Sequence, residues 1–205
     1  MAAKTTVKND VMNILIVGVG GQGTLLASRI IAQAAIQMGH DVKVSEIHGM
    51  AQRGGSVVSQ VRYGNKVFSP IIKKGEADVI LAFEKLEAAR YLDFLRKGGS
   101  IIINDDRIDP APVMSGDAKY PEKLEEKIAS VVPRTIVIDA TSVAKKCGNV
   151  KAANTVLVGV MGREVGIPDE ALEEAINKVV PAKAREVNQK ALAAGRDFRN
   201  KKKSK

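Results

Sequence analysis

One short stretch constrains the fold of this chain more than any other: a run of glycines between a predicted strand and a predicted helix. The run is Gly18-Val-Gly-Gly-Gln-Gly23, with glycines spaced as G-x-G-x-x-G. In that pattern the first glycine permits a tight turn, the second lets the backbone approach a ligand, and the third lets the helix pack close to the strand. The helix start then offers N–H groups and a partial positive charge that suit a phosphate. The candidate ligand-binding residues here are Gly18, Gly20, Gly21, Gln22 and Gly23.

The pattern around this run predicts an α/β fold. Short β-branched apolar runs predict buried strands at 12–17, 78–83, 100–104 and 135–139. Apolar residues at helical spacing predict helices at 24–38, 84–97, 153–165, 169–179 and 182–198. Asn154 and Asp169 are the expected N-caps of two of these helices. Alternating strands and helices imply a three-layer α/β/α domain with a mostly parallel sheet and a helical C-terminal part.

Further β-prone segments follow, and a hairpin around Gly64 is expected to add an antiparallel pair. Residues 41–46 alternate and predict a strand, and residues 56–63 predict another. Gly64-Asn65 is a turn signal, so residues 66–69 are the expected hairpin partner of 56–63.

The segment between these strands is a second glycine-rich loop, Ser45-Glu-Ile-His-Gly-Met-Ala-Gln-Arg-Gly-Gly55. Loops at the carboxyl ends of strands line the ligand crevice of an open α/β sheet, so we expect this loop beside the first glycine run. Arg53 could clamp a phosphate or carboxylate, and Gly54 and Gly55 permit unusual backbone conformations. The alternative is a mobile surface loop with a solvated Arg53. His48 is a polar loop residue, a hydrogen-bond donor or a general acid/base.

Composition limits the remaining possibilities. With 205 residues, of which 45% are hydrophobic, we expect a lead-in at 1–11, one domain at 12–198 and a basic tail at 199–205. The sequence shows neither a run long enough to cross a bilayer nor a signal-peptide core, so we expect a cytoplasmic protein with no membrane partner. The single cysteine, Cys147, excludes an internal disulfide and a cluster or structural zinc ligated by this chain alone.

The net charge of +9 is concentrated at the C-terminus. Residues 181–205 contain nine basic and two acidic residues, a net charge of +7, which leaves +2 for the rest. This end is either solvated, or docks to an acidic partner, or attracts nucleic acid. An aromatic content of 3% leaves few platforms for stacking bases, which argues against nucleic acid.

Taken alone, the first glycine run leaves other interpretations open. Glu46 lies 23 residues after Gly23, near where a ribose-binding acid stands in nucleotide-binding folds, so a stand-alone NAD(P)-binding oxidoreductase is one alternative. A glycine turn that only packs a strand against a helix is another. A non-enzymatic binding module that uses the basic C-terminus is a third.

Together, the two glycine-rich segments resemble a known family. Gly-x-Gly-Gly-Gln-Gly after a strand, followed by Glu-Ile-His-Gly-Met-Ala-Gln-Arg-Gly-Gly-Ser-Val, is similar to the γ-type subunits of 2-oxoacid:ferredoxin oxidoreductases. Within that family the sequence most resembles the small subunits of the enzymes that act on indolepyruvate. The resemblance runs from about Met12 to about Phe198 and includes the segment Asn154-Thr-Val-Leu-Val-Gly159. The γ subunits of the pyruvate, 2-oxoglutarate and 2-oxoisovalerate enzymes are the alternative.

The resemblance implies a division of labour between subunits. The complex would oxidatively decarboxylate an aryl 2-oxoacid with coenzyme A and oxidised ferredoxin, giving an acyl-CoA. Thiamine diphosphate and [4Fe–4S] clusters would belong to a large cysteine-rich partner subunit, and this chain would be inactive alone, with no catalytic residue and no metal. We expect Gly18–Gly23 with Arg53, Gly54 and Gly55 to cradle the phosphates of coenzyme A. The run Lys201–Lys203 with Lys205 departs from the family.

Overall fold

A computed structural model describes residues 11–48 and 54–198, with only the backbone of His48. Within these residues, six strands form one sheet in the order β2-β3-β1-β4-β5-β6. Strands β1, β4, β5 and β6 are parallel, whereas β3 lies antiparallel between β1 and β2. The strands are β1 Met12–Val19, β2 Asp41–His48, β3 Ser56–Gly64, β4 Ala77–Ala82, β5 Leu95–Asn104 and β6 Thr135–Ile138.

Helices cover both faces of this sheet. They are α1 Thr24–Gln37, α2 Lys85–Arg90, α3 Ala111–Met114, α4 Leu124–Val131, α5 Ala140–Lys146, α6 Ala153–Val165, α7 Asp169–Val179 and α8 Ala182–Asp197. Helices α1 and α5–α8 pack on one face, and α2 and α4 pack on the other. The expected three-layer α/β/α architecture with a helical C-terminal part is therefore confirmed. Among the described residues, every helix is too short or too polar to cross a bilayer.

The core explains why the first strand shows no polar alternation. Residues 14–17 of β1 are fully buried. Ile14 and Ile16 contact the α1 and α6 layer, while Leu15 and Val17 belong to the cluster beneath α2 and α4. A strand covered on both faces needs apolar side chains at every position, which is the pattern that the sequence shows.

The C-terminal helices are held together by a close crossing of α6 and α8. A Cβ on Gly159 would overlap the carbonyl of Leu192, and a Cβ on Gly195 would overlap the carbonyl of Val156. The two backbones approach this closely because neither glycine carries a side chain.

The predicted hairpin around Gly64 is wrong. Both edges of β3 are already paired, with β1 and with β2, so no edge is free for residues 66–69. Side chains hold the following segment instead: Arg62 Nη1 donates to the carbonyls of Ser69 (2.9 Å) and Ile71 (3.0 Å). β3 is antiparallel to both β1 and β2, and β2 leads into β3 through the second glycine-rich loop.

The predicted helix over 84–97 is also too long. Helix α2 ends at Arg90, a short 3-10 turn follows, and β5 begins at Leu95. The register between β4 and β5 shifts between Ala77 and Val79 of β4. The matching part of β5 lies between Leu95 and Ser100 and contains Gly98 and Gly99. Gly99 permits this irregularity because a Cβ there would lie 2.9 Å from the carbonyl of Asp78. The glycine pair therefore lies inside a strand, and it does not cap a helix.

Two expected N-caps are displaced by small shifts of helix start. Helix α6 is capped at Ala152, so Asn154 lies inside it, and α7 is capped at Pro168, so Asp169 is its first residue. Asn154 is thereby free for a different contact, described below. Helices α3, α4 and α5 were not predicted from sequence; α5 begins where Asp139 accepts a hydrogen bond from the Ser142 N–H (2.8 Å).

Candidate functional site

The first glycine run forms a tight turn at the carboxyl end of β1. The Gln22 N–H donates to the Val19 carbonyl (3.2 Å), which closes the turn. Gly21 and Gly23 have φ values of +103° and +85°, a region that residues with a Cβ rarely adopt. Within the described residues, the N–H groups of Gly21 and Gly23 meet no acceptor, so they remain available to a ligand.

The side chain of Gln22 holds the turn against the neighbouring strand. Its Oε1 accepts from the Val19 N–H (2.8 Å), and its Nε2 donates to the Phe83 carbonyl (3.0 Å) just after β4. A longer contact (3.4 Å) reaches Asp106 Oδ2 beyond β5. This amide therefore joins the ends of three strands.

Gly18 and Gly23 are required by packing. A Cβ on Gly18, which lies within β1, would be 2.9 Å from Phe83 Cβ. A Cβ on Gly23 would be 2.7 Å from Nδ2 of Asn154, and that amide donates to the Gly23 carbonyl (3.3 Å). Asn154 is 2% exposed, so the start of α1 is fastened to α6 inside the protein.

The second glycine-rich segment meets the first one. The Gly20 N–H donates to the Gly55 carbonyl (2.9 Å), and Val19 lies opposite Ser56 in the β1–β3 ladder. The expectation that the two segments lie side by side is confirmed. In this arrangement the Gly20 N–H is used within the protein, and Gly54 is exposed with a φ of +79°. Arg53 and residues 49–52 lie outside the described residues, as does the side chain of His48.

Sheet topology explains why the segments meet. β2 and β1 are both antiparallel to β3, so the C-terminal ends of β1 and β2 lie at the same end of the sheet. The second loop then returns into β3, which begins at this end with Ser56. A loop between two strands can therefore contact the turn without any crossover connection.

A cleft of about 520 Å³ opens beside the turn. It is bordered by residues at the carboxyl ends of β1, β4, β5 and β6, the usual position of a ligand in an open α/β sheet. Its apolar lining includes Leu26, Phe83, Val150 and Leu157. Its polar lining consists of Gln22, Asn104, Asp106, Thr141, Lys151 and Asn154.

Sequence reasoning missed most of these polar residues. Asn104 is buried and joins two elements, since its Nδ2 donates to the Phe83 carbonyl (3.3 Å) and its Oδ1 accepts from the Ala140 N–H (2.9 Å). Lys151 is exposed at the cleft and has no acidic partner among the described residues. The position of Asn104 at a strand end was a usable signal, whereas Lys151 lies in no motif that marks a binding residue.

The cleft also receives the starts of two long helices. Gly23, Asn154 and Ala153 line it where α1 and α6 begin. Helix starts carry a partial positive charge, which stabilises a nearby anion. Together with Lys151, they make this end of the cleft suited to a phosphate or carboxylate.

A buried acidic cluster lies beneath the second glycine segment. Glu87, 3% exposed, accepts from the Ser56 hydroxyl (2.5 Å) and from Arg90 Nη1 (2.9 Å). Burial raises the pKa of the Glu87 carboxyl, while the bonds from Ser56 and Arg90 act in the opposite direction. Glu84, 1% exposed, caps α2 and accepts from the hydroxyl of Tyr120; burial and this bond raise the pKa of Tyr120.

Glu46 does not take the position of a ribose-binding acid. Strand β3 separates β2 from β1, so Glu46 is one strand further from the turn than in a parallel nucleotide-binding sheet. Its Oε1 accepts from the Ser28 hydroxyl of α1 (3.1 Å). This geometry counts against the NAD(P)-binding alternative. Among the described residues there is also no group of three or more metal-ligating side chains.

Comparison with known proteins identifies the fold and its arrangement of loops. Residues 13–198 match the family described as pyruvate ferredoxin/flavodoxin oxidoreductase. The chain belongs to this family. The match covers the sheet, the glycine turn and the helices that border the cleft, so the site described above lies within the family domain.

Members of the family with known sequences and structures agree with this assignment. Indolepyruvate oxidoreductase subunit IorB of Archaeoglobus fulgidus is 46% identical over 189 residues, which are 90% of this chain and 93% of that protein. The common γ subunit of the pyruvate/ketoisovalerate oxidoreductases of Pyrococcus furiosus is 27% identical over 177 residues, 85% of this chain and 89% of that one. A solved structure, the γ subunit of a keto/oxoacid ferredoxin oxidoreductase from Geobacter sulfurreducens, has a TM-score of 0.67 at 27% identity, covering 90% of this chain and 95% of its own.

Proposed function

We propose that this chain is the small subunit of a ferredoxin-dependent indolepyruvate oxidoreductase of the cytoplasm. The complex would oxidatively decarboxylate an aryl 2-oxoacid, transfer the acyl group to coenzyme A and pass the electrons to ferredoxin. The identity of 46% with an indolepyruvate oxidoreductase subunit, against 27% with a pyruvate/ketoisovalerate γ subunit, favours indolepyruvate over the alternative acids.

The reactive groups of this proposal belong to a large, cysteine-rich partner subunit. Thiamine diphosphate bound there would supply the chemistry of decarboxylation, and [4Fe–4S] clusters would supply electron transfer to ferredoxin. A single cysteine in this chain is consistent with that division, since such a cluster is held by about four thiolates. This chain contributes the cleft beside the glycine turn, which binds coenzyme A and orients it toward the reactive groups of the partner subunit.

The observation that carries the proposal is the hydrogen bond from Gly20 to Gly55, which joins the two glycine segments beside the cleft. The N–H groups of Gly21 and Gly23 point to a phosphate-binding role, as the Gly20 N–H is already used. Lys151 and the starts of α1 and α6 would supply positive charge. Arg53, Gly54 and Gly55 would close the site from the second segment, and Gly18 and Gln22 would hold the turn in shape.

Steady-state kinetics of the assembled complex test this proposal. Because a charged group on a bound phosphate contributes about 1.5–3 kcal/mol, Lys151→Ala should raise KM for coenzyme A roughly tenfold or more and leave KM for indolepyruvate unchanged. Arg53→Ala should leave folding intact and slow turnover. Lys145→Ala removes an exposed lysine of α5 outside the cleft and serves as the control. An unchanged KM for coenzyme A in both the Lys151 and Arg53 variants would exclude this site.

A further inference from the structure

The end of the second glycine segment is anchored by a side chain outside the cleft. Ser56 follows Gly55 directly and begins β3. Its hydroxyl lies 2.5 Å from Glu87 Oε2, on a carboxylate that is 3% exposed and therefore has no access to a ligand. The bond joins the backbone after the glycine segment to helix α2.

The orientation of Glu87 is set by its surroundings. Arg90 Nη1 donates to its other oxygen (2.9 Å), and the Tyr91 hydroxyl lies 3.3 Å from Ser56 Oγ. Helix α2 is itself fixed by Glu84, whose Oε2 accepts from the Glu87 N–H (2.9 Å). The Ser56 hydroxyl is therefore held by a rigid, buried acceptor.

In the part of the chain that the structure describes, few contacts restrain Gly54 and Gly55. Gly54 has a φ of +79°, and a Cβ there would meet nothing within 4 Å. Among the described residues, three contacts adjoin this pair: the Gly20 N–H on the Gly55 carbonyl, the pairing of Ser56 with Val19 in the β1–β3 ladder, and the side-chain bond from Ser56 to Glu87. Because glycine is conformationally permissive, losing one anchor would release the segment into several conformations.

We propose that Ser56 and Glu87 are positioning residues for coenzyme A, an inference that rests on the proposed function. Their hydrogen bond holds Gly54 and Gly55 against the turn at Gly20, so that these two glycines meet the ligand in one conformation. Neither residue touches the ligand. Their effect falls on binding of coenzyme A and leaves the chemical step unaltered.

Kinetics of the assembled complex separate this role from a purely structural one. If the binding-competent conformation becomes a minority, the apparent affinity falls by its populated fraction, so Ser56→Ala should raise KM for coenzyme A by roughly tenfold while kcat and KM for indolepyruvate stay close to wild type. Ser56→Thr keeps the hydroxyl, so its KM for coenzyme A should stay close to that of wild type. Glu87→Met keeps the length of the side chain, removes the acceptor and should match Ser56→Ala, with the double variant no worse than either. Ser130→Ala is the control, since its hydroxyl donates only to a carbonyl within α4.

The outcomes distinguish this inference from the proposed function. An unchanged KM for coenzyme A in Ser56→Ala and Glu87→Met, with Lys151→Ala still impaired, would overturn the positioning role alone. If Lys151→Ala were also without effect, the coenzyme A site itself would be wrong. The positioning role would also be overturned if Ser56→Ala and Ser56→Thr lost activity equally and in proportion to the loss of folded complex. That result would show that Ser56 makes a structural contact only.

Discussion

Asn154 donates its side-chain amide to the carbonyl of Gly23, across 131 residues of sequence. The contact joins the turn after the first strand to the first turn of α6, and both residues border the cleft. Gly23 is thus a point at which the shape of the site depends on the packing of the C-terminal helices. Substitutions here test whether the free energy of unfolding depends on the packing of this turn against α6.

Gly23→Ala should destabilise the protein more than Gly21→Ala. Both residues have positive φ, so each alanine costs about 1–2 kcal/mol in free energy of unfolding. Only at Gly23 does a Cβ also meet Asn154, at 2.7 Å, whereas Gly21 faces open space. This overlap adds about 1–3 kcal/mol. Urea unfolding of the two variants measures the difference, and equal losses would show that Asn154 yields freely.

The α6–α8 crossing should tolerate no side chain at its contact. Gly159→Ala places a Cβ on the carbonyl of Leu192 and should cost about 3 kcal/mol, the upper end for overpacking. Gly162→Ala is the matched control in the same helix, because its Cβ would overlap a side-chain atom, Cδ1 of Leu172, and no backbone carbonyl. In thermal unfolding, the melting temperature of Gly159→Ala should be lower than that of Gly162→Ala. The reverse order would contradict the close approach of the α6 and α8 backbones.

Gln22→Glu should destabilise the turn in a pH-dependent way. The substitution removes the donor to the Phe83 carbonyl and places a second carboxylate near Asp106, whose Oδ2 is 3.4 Å from Gln22 Nε2. Losing this hydrogen bond costs about 0.5–1.5 kcal/mol, because the Phe83 carbonyl keeps the bond from Asn104, and charge repulsion adds to the loss when both carboxyls are ionised. The loss of unfolding free energy should therefore be larger at pH 7 than at pH 4. Gln189→Glu, at a half-buried glutamine of α8 whose side-chain hydrogen bonds are solvent-exposed, should show a much smaller loss.

The contribution of Glu87 to the free energy of unfolding should fall as the pH rises. Burial raises its folded-state pKa above the ordinary 4.5, so the folded protein retains a proton that the unfolded chain has lost. The stabilising contribution of this proton is full below pH 4.5 and is lost as the pH rises through the folded pKa. The unfolding free energy of wild type minus that of Glu87→Gln should fall between acidic and neutral pH.

Glu186 provides a control of opposite sign for that experiment. The hydrogen bond from Lys190 lowers the pKa of the exposed Glu186 carboxyl below its ordinary value. The difference between wild type and Glu186→Gln should therefore rise with pH. A difference for Glu87→Gln that rises in the same way would contradict the buried-carboxyl assignment.

The architecture was predictable from sequence where single segments determine it. Apolar runs such as residues 14–17 have no polar alternation, and the glycine run between β1 and α1 marks the strand-to-helix turn. The position of the second glycine segment also followed, because the ends of β1 and β2 lie at one edge.

What failed depended on partners distant in sequence. Residues 66–69 do not pair, since both edges of β3 are taken by β1 and β2. The strand start at Leu95 was hidden by apolar residues at helical spacing and by a glycine pair that lies at an irregularity of β5. Lys151 and Asn154 reach the cleft only through the packing of α6 on α1. Side chains placed by tertiary contacts leave no local pattern that a sequence reveals.

Reconstitution from separately purified chains tests the central claim most directly. The measurement is reduction of ferredoxin by indolepyruvate and coenzyme A, for this chain alone, for its large partner alone and for the mixture. We predict turnover by the mixture, with this chain inactive alone and co-purifying with a cysteine-rich partner. Turnover by this chain alone, or full activity of the large chain without it at the same coenzyme A concentration, would contradict the claim that it completes a site whose reactive groups belong to another subunit.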